Sequence, residues 1–438
     1  MKILCVNPRY GGPDGLIILP LDLASCVAYA RNHDLSVSVV DLAFRPDDSA
    51  LMDAVRSDRP DYILFTAITV CYRNAVAAAS SVKALFPGIP IGIMGEHVSF
   101  RKSETLQRHP AFDHVLSFES EETLVELAQA LKTERSLSSV LGLTYRKDWA
   151  IHNNPDRSPE RDLSRFPIPA RRDFDIDEYR RRDHETTLVT ARGCRYQCKF
   201  CHRSRYGRRL RYWPLDSVFR EIEDVLDMGF SAIFFQDDIF CADKSRVRAI
   251  CDWIIERDLT LAWNCNVRVD DFDPRDPADA ELLDLMKRAG CYRFFTGIET
   301  MNQSILDLSR KKSQSAGVLE YVRFVKAHGI QIHASYVIGL PGETETSVRD
   351  TVSMAIELDT DIASFNRIFP HPGTPIGDTP SDIGSVVPDP LWYEGDEWID
   401  QAVAGNQFLS PAKVQQLQQD AIDAYITSRF EWGESERS

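Results

Sequence analysis

Residues 186–201 read TTLVTARGCRYQCKFC: a β-branched apolar run, a glycine, then Cys194, Cys198 and Cys201 in C-x3-C-x2-C spacing. Thr, Leu and Val suit a strand, and Gly193 suits the turn that ends it. Three thiols thus arrive together on a loop just after a strand, with Arg192, Arg195, Lys199, Arg203 and Arg205 around them. A structural zinc site wants four protein ligands, usually as two separated pairs. No second pair follows here, and His202, adjacent to Cys201, would have to bend back sharply to be the fourth. A redox dithiol uses only the C-x-x-C half and leaves Cys194 unexplained. An iron–sulfur cubane held by three cysteines, with one open iron, fits the count, and the cations would offset its anionic thiolates.

Working outward, the strand is the first of six. AIFFQD, LAWNCN, RFFTGIE, IQIHASYVIG and IASFNRIF follow it, separated by helical stretches such as LDSVFREIEDVLDM, AELLDLMKRAG and GVLEYVRFVKAHG. Six βα units are too few for a closed eight-stranded barrel, so residues 186–378 are expected to form an open partial (β/α)6 barrel. Its site should lie at the carboxyl ends of the strands, where the cysteines are.

Upstream, residues 1–135 show a similar alternation. KILCV, LSVSVV, DYILFTA, IPIGIM and DHVLSF read as strands between helical segments, the pattern of a doubly wound, Rossmann-like parallel sheet. Its crevice would be built by NPRYGGPDG, AITV, GEHVSF and FESEE. Residues 136–185 read as a hairpin and a proline-bearing connector, and 379–438 as a short tail with one amphipathic helix. The expected class is therefore α/β throughout.

Composition narrows the function. The chain has 438 residues, 43% hydrophobic and 27% charged, and suits two or three globular domains. Its net charge of −15 argues against broad contact with nucleic acid. The start has no signal-peptide pattern and no run reaches the length of a membrane span, so a cytoplasmic protein without membrane contact is expected. The other seven cysteines sit in apolar contexts and read as small buried hydrophobes, not disulfides.

The cysteine spacing, the aromatic Phe200 before the third cysteine and the six downstream strands together resemble the radical S-adenosylmethionine (SAM) superfamily. The resemblance implies a 4Fe-4S cluster on Cys194, Cys198 and Cys201, whose open iron binds the amino and carboxylate groups of SAM. FFQDD then implies Gln236 and Asp237 as SAM contacts, and GIET implies Glu299. YVIGLPGET implies Tyr336, Val337 and Ile338, whose backbone would line the adenine. A structural account competes at each position: helix capping for Gln236 and Asp237, a satisfied loop carboxylate for Glu299, a turn with an N-cap threonine for GLPGET.

The first domain and connector are similar to the cobalamin-binding branch of that superfamily. Asn7 and Pro8 after the first strand, Thr69, the turn Gly95-Glu96-His97, Glu119 in FESEE and the DLSRFPIPARRDF connector carry the likeness, which spans about residues 1–380. Ser117, Phe118 and Ser120 stand where the branch has a Gly-Glu-Gly-Glu segment, and lost glycines would reshape the corrin pocket. No D-x-H-x-x-G motif occurs, so no histidine is expected as the lower axial ligand of cobalamin.

The resemblance implies methylation of an unactivated carbon of a small-molecule biosynthetic intermediate, by way of a 5′-deoxyadenosyl radical and methylcobalamin, with a one-electron reductant such as flavodoxin or ferredoxin as partner. Asn264, Arg268, Asn366 and His371 are the expected substrate contacts. A radical cyclisation, ring contraction or rearrangement without methyl transfer stays open, as does a cobalamin- or SAM-binding sensor. Methylthiotransferases need a second three-cysteine cluster; Cys5 and Cys26, in strand and helix patterns, fit that poorly.

Overall fold

The first strand, β1 (Lys2–Asn7), is KILCVN and is buried at every position after Lys2. A run apolar on both faces needs helices on both sides, the environment of a parallel sheet. The computed structural model describes residues 1–10, 17–202, 206–395 and 401–435, with side chains as far as Arg429. Arg203, Arg205 and the middle of the NPRYGGPDG loop lie outside the described residues. The chain divides into two units: Met1–Thr187 with Arg205–Gly207 and Arg211–Phe230, and Leu188–Ser204 with Arg208–Leu210 and Ser231–Ser438.

In the first unit β1 is joined by β2 (Ser36–Asp41), β3 (Tyr62–Thr66), β4 (Ile91–Met94), β5 (His114–Leu116), β6 (Leu143–Lys147) and β7 (Ala150–Asn153). Their order is β2-β1-β3-β4-β5-β6-β7, with β1 to β5 parallel and the β6–β7 hairpin antiparallel. The hairpin of the expected connector is thus the continuation of the sheet. Helices α1 (Leu21–Arg31), α2 (Ser49–Asp58) and α3 (Tyr72–Leu85) link parallel strands, and α4 (Glu121–Lys132) joins β5 to the antiparallel β6. The strand order reverses between β1 and β3, and such a switch point opens a crevice at the carboxyl ends of the two strands.

Helix α5 (Leu215–Asp227) also belongs to the first unit. Its Glu221 meets the fully buried Arg171 of the connector at 2.6 Å, and the same guanidinium nitrogen donates to the Thr187 carbonyl at 2.9 Å. Burial pushes the Glu221 carboxyl upward, and Arg171 opposes that shift by favouring the charged carboxylate.

The second sheet begins with β8 (Glu185–Leu188) and adds β9 (Ala232–Phe235), β10 (Ala262–Val267), β11 (Cys291–Glu299), β12 (Gln331–Ile338) and β13 (Ile362–Arg367) strictly in chain order. This is the expected open six-stranded sheet. Along β12 alternate residues are buried while the others keep partial access, the period-two signature of one covered and one open face. Helices α6 (Lys244–Glu256), α7 (Pro277–Arg288), α8 (Val318–Ala327) and α9 (Glu345–Leu358) connect the strands. Asp243 caps α6 by accepting from the Ser245 and Arg246 amides, and Asp276 caps α7 ahead of Pro277. The tail helix α10 (Pro411–Ser435) lies along β13, where Gln418 donates to the Phe365 carbonyl at 2.7 Å and Tyr425 to that of Thr360 at 2.8 Å.

Candidate active site

Gly193, at φ +99°, turns the chain out of the region of β8 into the cysteine loop. Cys194 is buried and Cys198 and Cys201 are half-buried. All three line two cavities. The inner one, about 190 Å³, adds Asp238, Asn266, Arg268, Glu299 and Lys311. The outer one, about 250 Å³, adds Tyr196, Gln197, Arg208 and Arg310. Burial raises the Cys198 thiol, and Lys311 and Arg268 pull it part of the way back. Three thiols with access to one space and cations beside them suit an anionic thiolate-held cluster. They do not converge as a formed ligand set: no three His, Cys, Asp or Glu side chains among the described residues are gathered as for a metal ion. His202, which a zinc site would require, directs Nε2 to the Pro372 carbonyl, so that nitrogen carries its proton and is not a free ligand.

The loop is held from β10. The Arg268 guanidinium lies 3.6 Å from the centre of the Tyr196 ring, between the first two cysteines. Arg268 is fixed in turn by Asp270 at 2.9 Å, the Lys311 carbonyl at 2.9 Å and Ser313 at 3.2 Å. From the other side Lys199 donates its amide to the Ser309 carbonyl at 3.0 Å. The segment Ser309–Ser313, SRKKS, has Arg310 at φ +54° and Lys312 at φ +59°. That backbone sends Arg310 to the outer cavity and Lys311 to the inner one. Asp238, Arg310 and Lys311 were not expected from the sequence; a basic turn shortly after GIET was the available signal for the last two.

The expected SAM residues divide. Glu299 lines the inner cavity at φ +69° and pairs with Lys311 at 2.6 Å. Phe200 lines the same cavity and packs against the apolar group of Ile305, Leu340 and Ile368. Val337 packs on that group too, and the Ile338 carbonyl accepts from the Ile368 amide at 2.9 Å. Gln236 is half-buried at the end of β9, its amide donating to the Leu188 carbonyl, and it lines neither cavity.

Asp237, expected as a SAM contact, has protein partners. Its carboxylate accepts from the Thr190 amide at 2.5 Å, the Thr190 hydroxyl at 2.6 Å and the Ala191 amide at 3.2 Å, which pins the entry to the cysteine loop. Burial still pushes its carboxyl up to about 7. The Tyr336 side chain is fully buried and stacks on Phe365 at 5.1 Å, and the expected contact there is by backbone. In GLPGET the N-cap account holds for Thr344, which accepts from the Ser347 amide at the start of α9.

Among the expected substrate residues, Arg268 is the clamp just described. Asn264 is fully buried and donates to the Tyr292 hydroxyl at 2.8 Å, and it lines neither cavity. Asn366 is exposed and donates to the Ser335 hydroxyl at 3.0 Å. His371 is half-buried, its ring 5.6 Å from that of His202.

At the switch point of the first sheet, Pro8 is buried after β1, Thr69 follows β3, and Gly95, Glu96 and His97 follow β4. Gly95 has φ +114°, and a Cβ there would stand 2.4 Å from the Ala67 carbonyl. His97 is fully buried, 3.2 Å from the Thr69 hydroxyl and stacked on Tyr72 at 4.1 Å. Two expected cobalamin contacts have protein partners. Asn7 donates to Asp41 at 2.8 Å and to the Tyr179 hydroxyl at 3.3 Å. Glu119 pairs with Arg211 at 2.7 Å and accepts from the Glu160 amide at 2.9 Å. Phe118 sits at φ +60°, a conformation that glycine adopts without strain.

Comparison with known proteins agrees with this layout. Residues 188–355 match the radical SAM superfamily model, and residues 13–128 match the B12 binding domain model. An uncharacterized methyltransferase of Pyrococcus horikoshii is 30% identical over 85% of this chain and 82% of its own length. The chain belongs to the cobalamin-binding radical SAM family. The cofactors of this family are a 4Fe-4S cluster, SAM and cobalamin. An anaerobic magnesium-protoporphyrin IX monomethyl ester cyclase of Rubrivivax gelatinosus is 25% identical over 85% of this chain and 68% of its own. The radical SAM methyltransferase TsrM of Kitasatospora setae, solved with tryptophan substrate and a SAM analogue, shares the fold at TM-score 0.78 and 20% identity, over 98% of this chain and 89% of that one. No helix among the described residues of this radical SAM protein is long and apolar enough to cross a membrane.

Proposed function

We propose that the protein is a cobalamin-dependent radical SAM methyltransferase that acts on an unactivated carbon of a small biosynthetic intermediate in the cytoplasm. The observation that carries this reading is the cavity shared by Cys194, Cys198, Cys201, Glu299 and Lys311, in a chain whose residues 13–128 match the B12 binding domain. When bound, the cluster with SAM supplies an organic radical, and cobalamin supplies a methyl carrier.

This chain's own residues perform the positioning. Cys194, Cys198 and Cys201 hold the cluster. Lys311 and Arg268 balance its negative charge, and Glu299 and Asn266 present hydrogen-bonding atoms to SAM in the inner cavity. Phe200 closes that cavity against water. Asp237 keeps Thr190 and Ala191 fixed, so that the loop enters at a constant angle. In the first unit Gly95 lets the turn after β4 close on the Ala67 backbone, with Thr69 and His97 beside it.

Anaerobic reconstitution with iron, sulfide and cobalamin, followed by dithionite and SAM, tests the proposal. 5′-Deoxyadenosine together with S-adenosylhomocysteine and retained cobalamin is the expected result. The cyclase relatives favour a second reading, radical cyclisation without methyl transfer. It predicts 5′-deoxyadenosine without S-adenosylhomocysteine.

A further inference from the structure

The register of the second sheet lays a row of rings across one face of it. Phe295, Gly297 and Glu299 alternate along β11, and all three line the inner cavity. Parallel pairing sets Asn266 of β10 and His333 of β12 level with Phe295, so they share its face. Phe234 of β9, level with Asn264, lies on that face too. The ring centroids of Phe234 and Phe295 are 5.2 Å apart, and those of Phe295 and His333 4.5 Å. His333 Nε2 lies 2.6 Å from the Ser364 hydroxyl of β13, which fixes the imidazole. Burial, with the Arg293 guanidinium beside it, lowers the His333 pKa below its ordinary value, so the ring is neutral. Phe235 and Phe294 occupy the opposite face of the same strands and are fully buried, whereas Phe234, Phe295 and His333 keep partial access. Each Phe-Phe pair thus divides, one ring going to the core and one to the lumen. Gly297 stands between Phe295 and Glu299 without a side chain, and the inner cavity reaches both of them.

We infer that Phe234, Phe295 and His333 form the floor of the substrate seat, and that the substrate lays a flat conjugated ring on it. The inference rests on the radical reading above and names the class of substrate for that site. Continuity supports it, because Phe295 belongs to the cavity that the three thiols line. The frame of the floor supports it as well: half-buried Asn266 and Ser335 adjoin the rings on the same face. A heteroaromatic or hydroxylated ring has an apolar face for the rings and a polar edge for that frame, whereas a saturated ring offers no π face. The adenine of SAM is the competing occupant. Val337 and Ile338, expected to line it, lie four and five residues beyond His333, about 13 Å or more along the strand. The reacting carbon then lies on or beside the conjugated ring, between the aromatic floor and the Glu299–Lys311 wall.

The test uses the reconstituted holoenzyme and two probes of one outline and one hydroxyl, flat 2-naphthol and saturated decahydro-2-naphthol, in anaerobic equilibrium dialysis with and without SAM. The wild type should hold 2-naphthol about threefold to tenfold more tightly than its saturated counterpart, the range expected of an aromatic pair beyond its buried area. It should hold it equally well with SAM present. Phe295→Leu keeps an apolar side chain and removes the ring, so the preference should vanish, and Phe295→Tyr should retain it. His333→Leu should reduce the preference part of the way. Equal affinity for the two probes, failure of both to bind, or an undiminished preference in Phe295→Leu would overturn the inference. Displacement of 2-naphthol by SAM would also overturn it, because the rings would then serve the adenine. The wild-type preference and the SAM competition need no variant, so they decide the matter even where Phe295→Leu does not fold. Dithionite and SAM report separately on the radical reading: no 5′-deoxyadenosine alongside an intact probe preference would count against that reading and not against the aromatic floor.

Discussion

Lys311 Nζ lies 2.6 Å from Glu299 Oε1, and the pair passes over the bare Cα of Gly297. A Cβ at Gly297 would stand 2.4 Å from Glu299 Oε1 and 2.9 Å from Lys311 Nζ. Each partner's side chain is only 9% exposed. The inner cavity therefore has a charged wall whose two halves are balanced before any ligand arrives.

Lys311→Met should destabilise the cluster-free protein by roughly 3–5 kcal/mol, because a buried carboxylate is left without its cation. Adding Glu299→Gln should recover a large part of the loss. Urea denaturation of the two variants decides the matter: equal stability of single and double variants would mean that the pair is not coupled.

The thiols should separate by reactivity. Burial pushes Cys5 and Cys71 up to about 12 and raises Cys265 well above the ordinary thiol value. Cys198 and Cys201 are half-buried and open to the cavities. Iodoacetamide at pH 8 should therefore label Cys198 and Cys201 of the cluster-free protein first, as read by peptide mass spectrometry. Faster labelling at Cys5 or Cys265 would contradict the burial order.

Glu343 gives the protein a pH dependence of defined sign. Its buried carboxyl accepts from the Gly339 and Leu340 amides, yet burial raises it from 4.5 to about 8. The folded chain thus holds this proton more tightly than the unfolded chain does. The resulting stability is complete below about pH 4.5 and is lost as pH rises towards 8. Asp237, raised to about 7, acts in the same direction. The melting temperature should fall between pH 6 and 8.5, and less steeply in Glu343→Gln. An unchanged slope in the variant would remove Glu343 as a cause.

Arg268→Leu should loosen the cysteine loop by removing the cation from the Tyr196 ring, a contact of about 1–2 kcal/mol where water is excluded. Iron bound per chain after reconstitution should fall by about half or more, and Arg268→Lys should retain part of it. Full iron occupancy in Arg268→Leu would show that the loop orders without its clamp.

The strand plan was legible because each strand is a distinct apolar run between helices of ordinary length, and the cysteine spacing stands out against any background. The roles of Asn7, Glu119 and Asp237 were not. A polar residue at a strand end reads the same whether it faces a ligand or secures backbone, and only its partners separate the two. Asp237 is satisfied by Thr190 and Ala191, and Glu119 by Arg211. Lys311 escaped because its importance comes from left-handed backbone at Arg310 and Lys312, which no apolar periodicity reports. At Phe118 the opposite holds: the glycine is gone but its φ of +60° remains, so the turn outlasted the residue that best suits it.

The strict chain order of the second sheet sets a timetable for the protein's assembly. Each strand pairs with the one synthesised just before it, so the sheet can grow as the ribosome delivers it. The cysteine loop leaves the ribosome first, more than a hundred residues ahead of the Ser309–Ser313 turn whose amide acceptor and lysine complete its surroundings. Between those two moments the thiols exist without their cationic wall. Only a chain that has passed its fourth barrel strand and the turn beyond it has Lys311 beside the thiols.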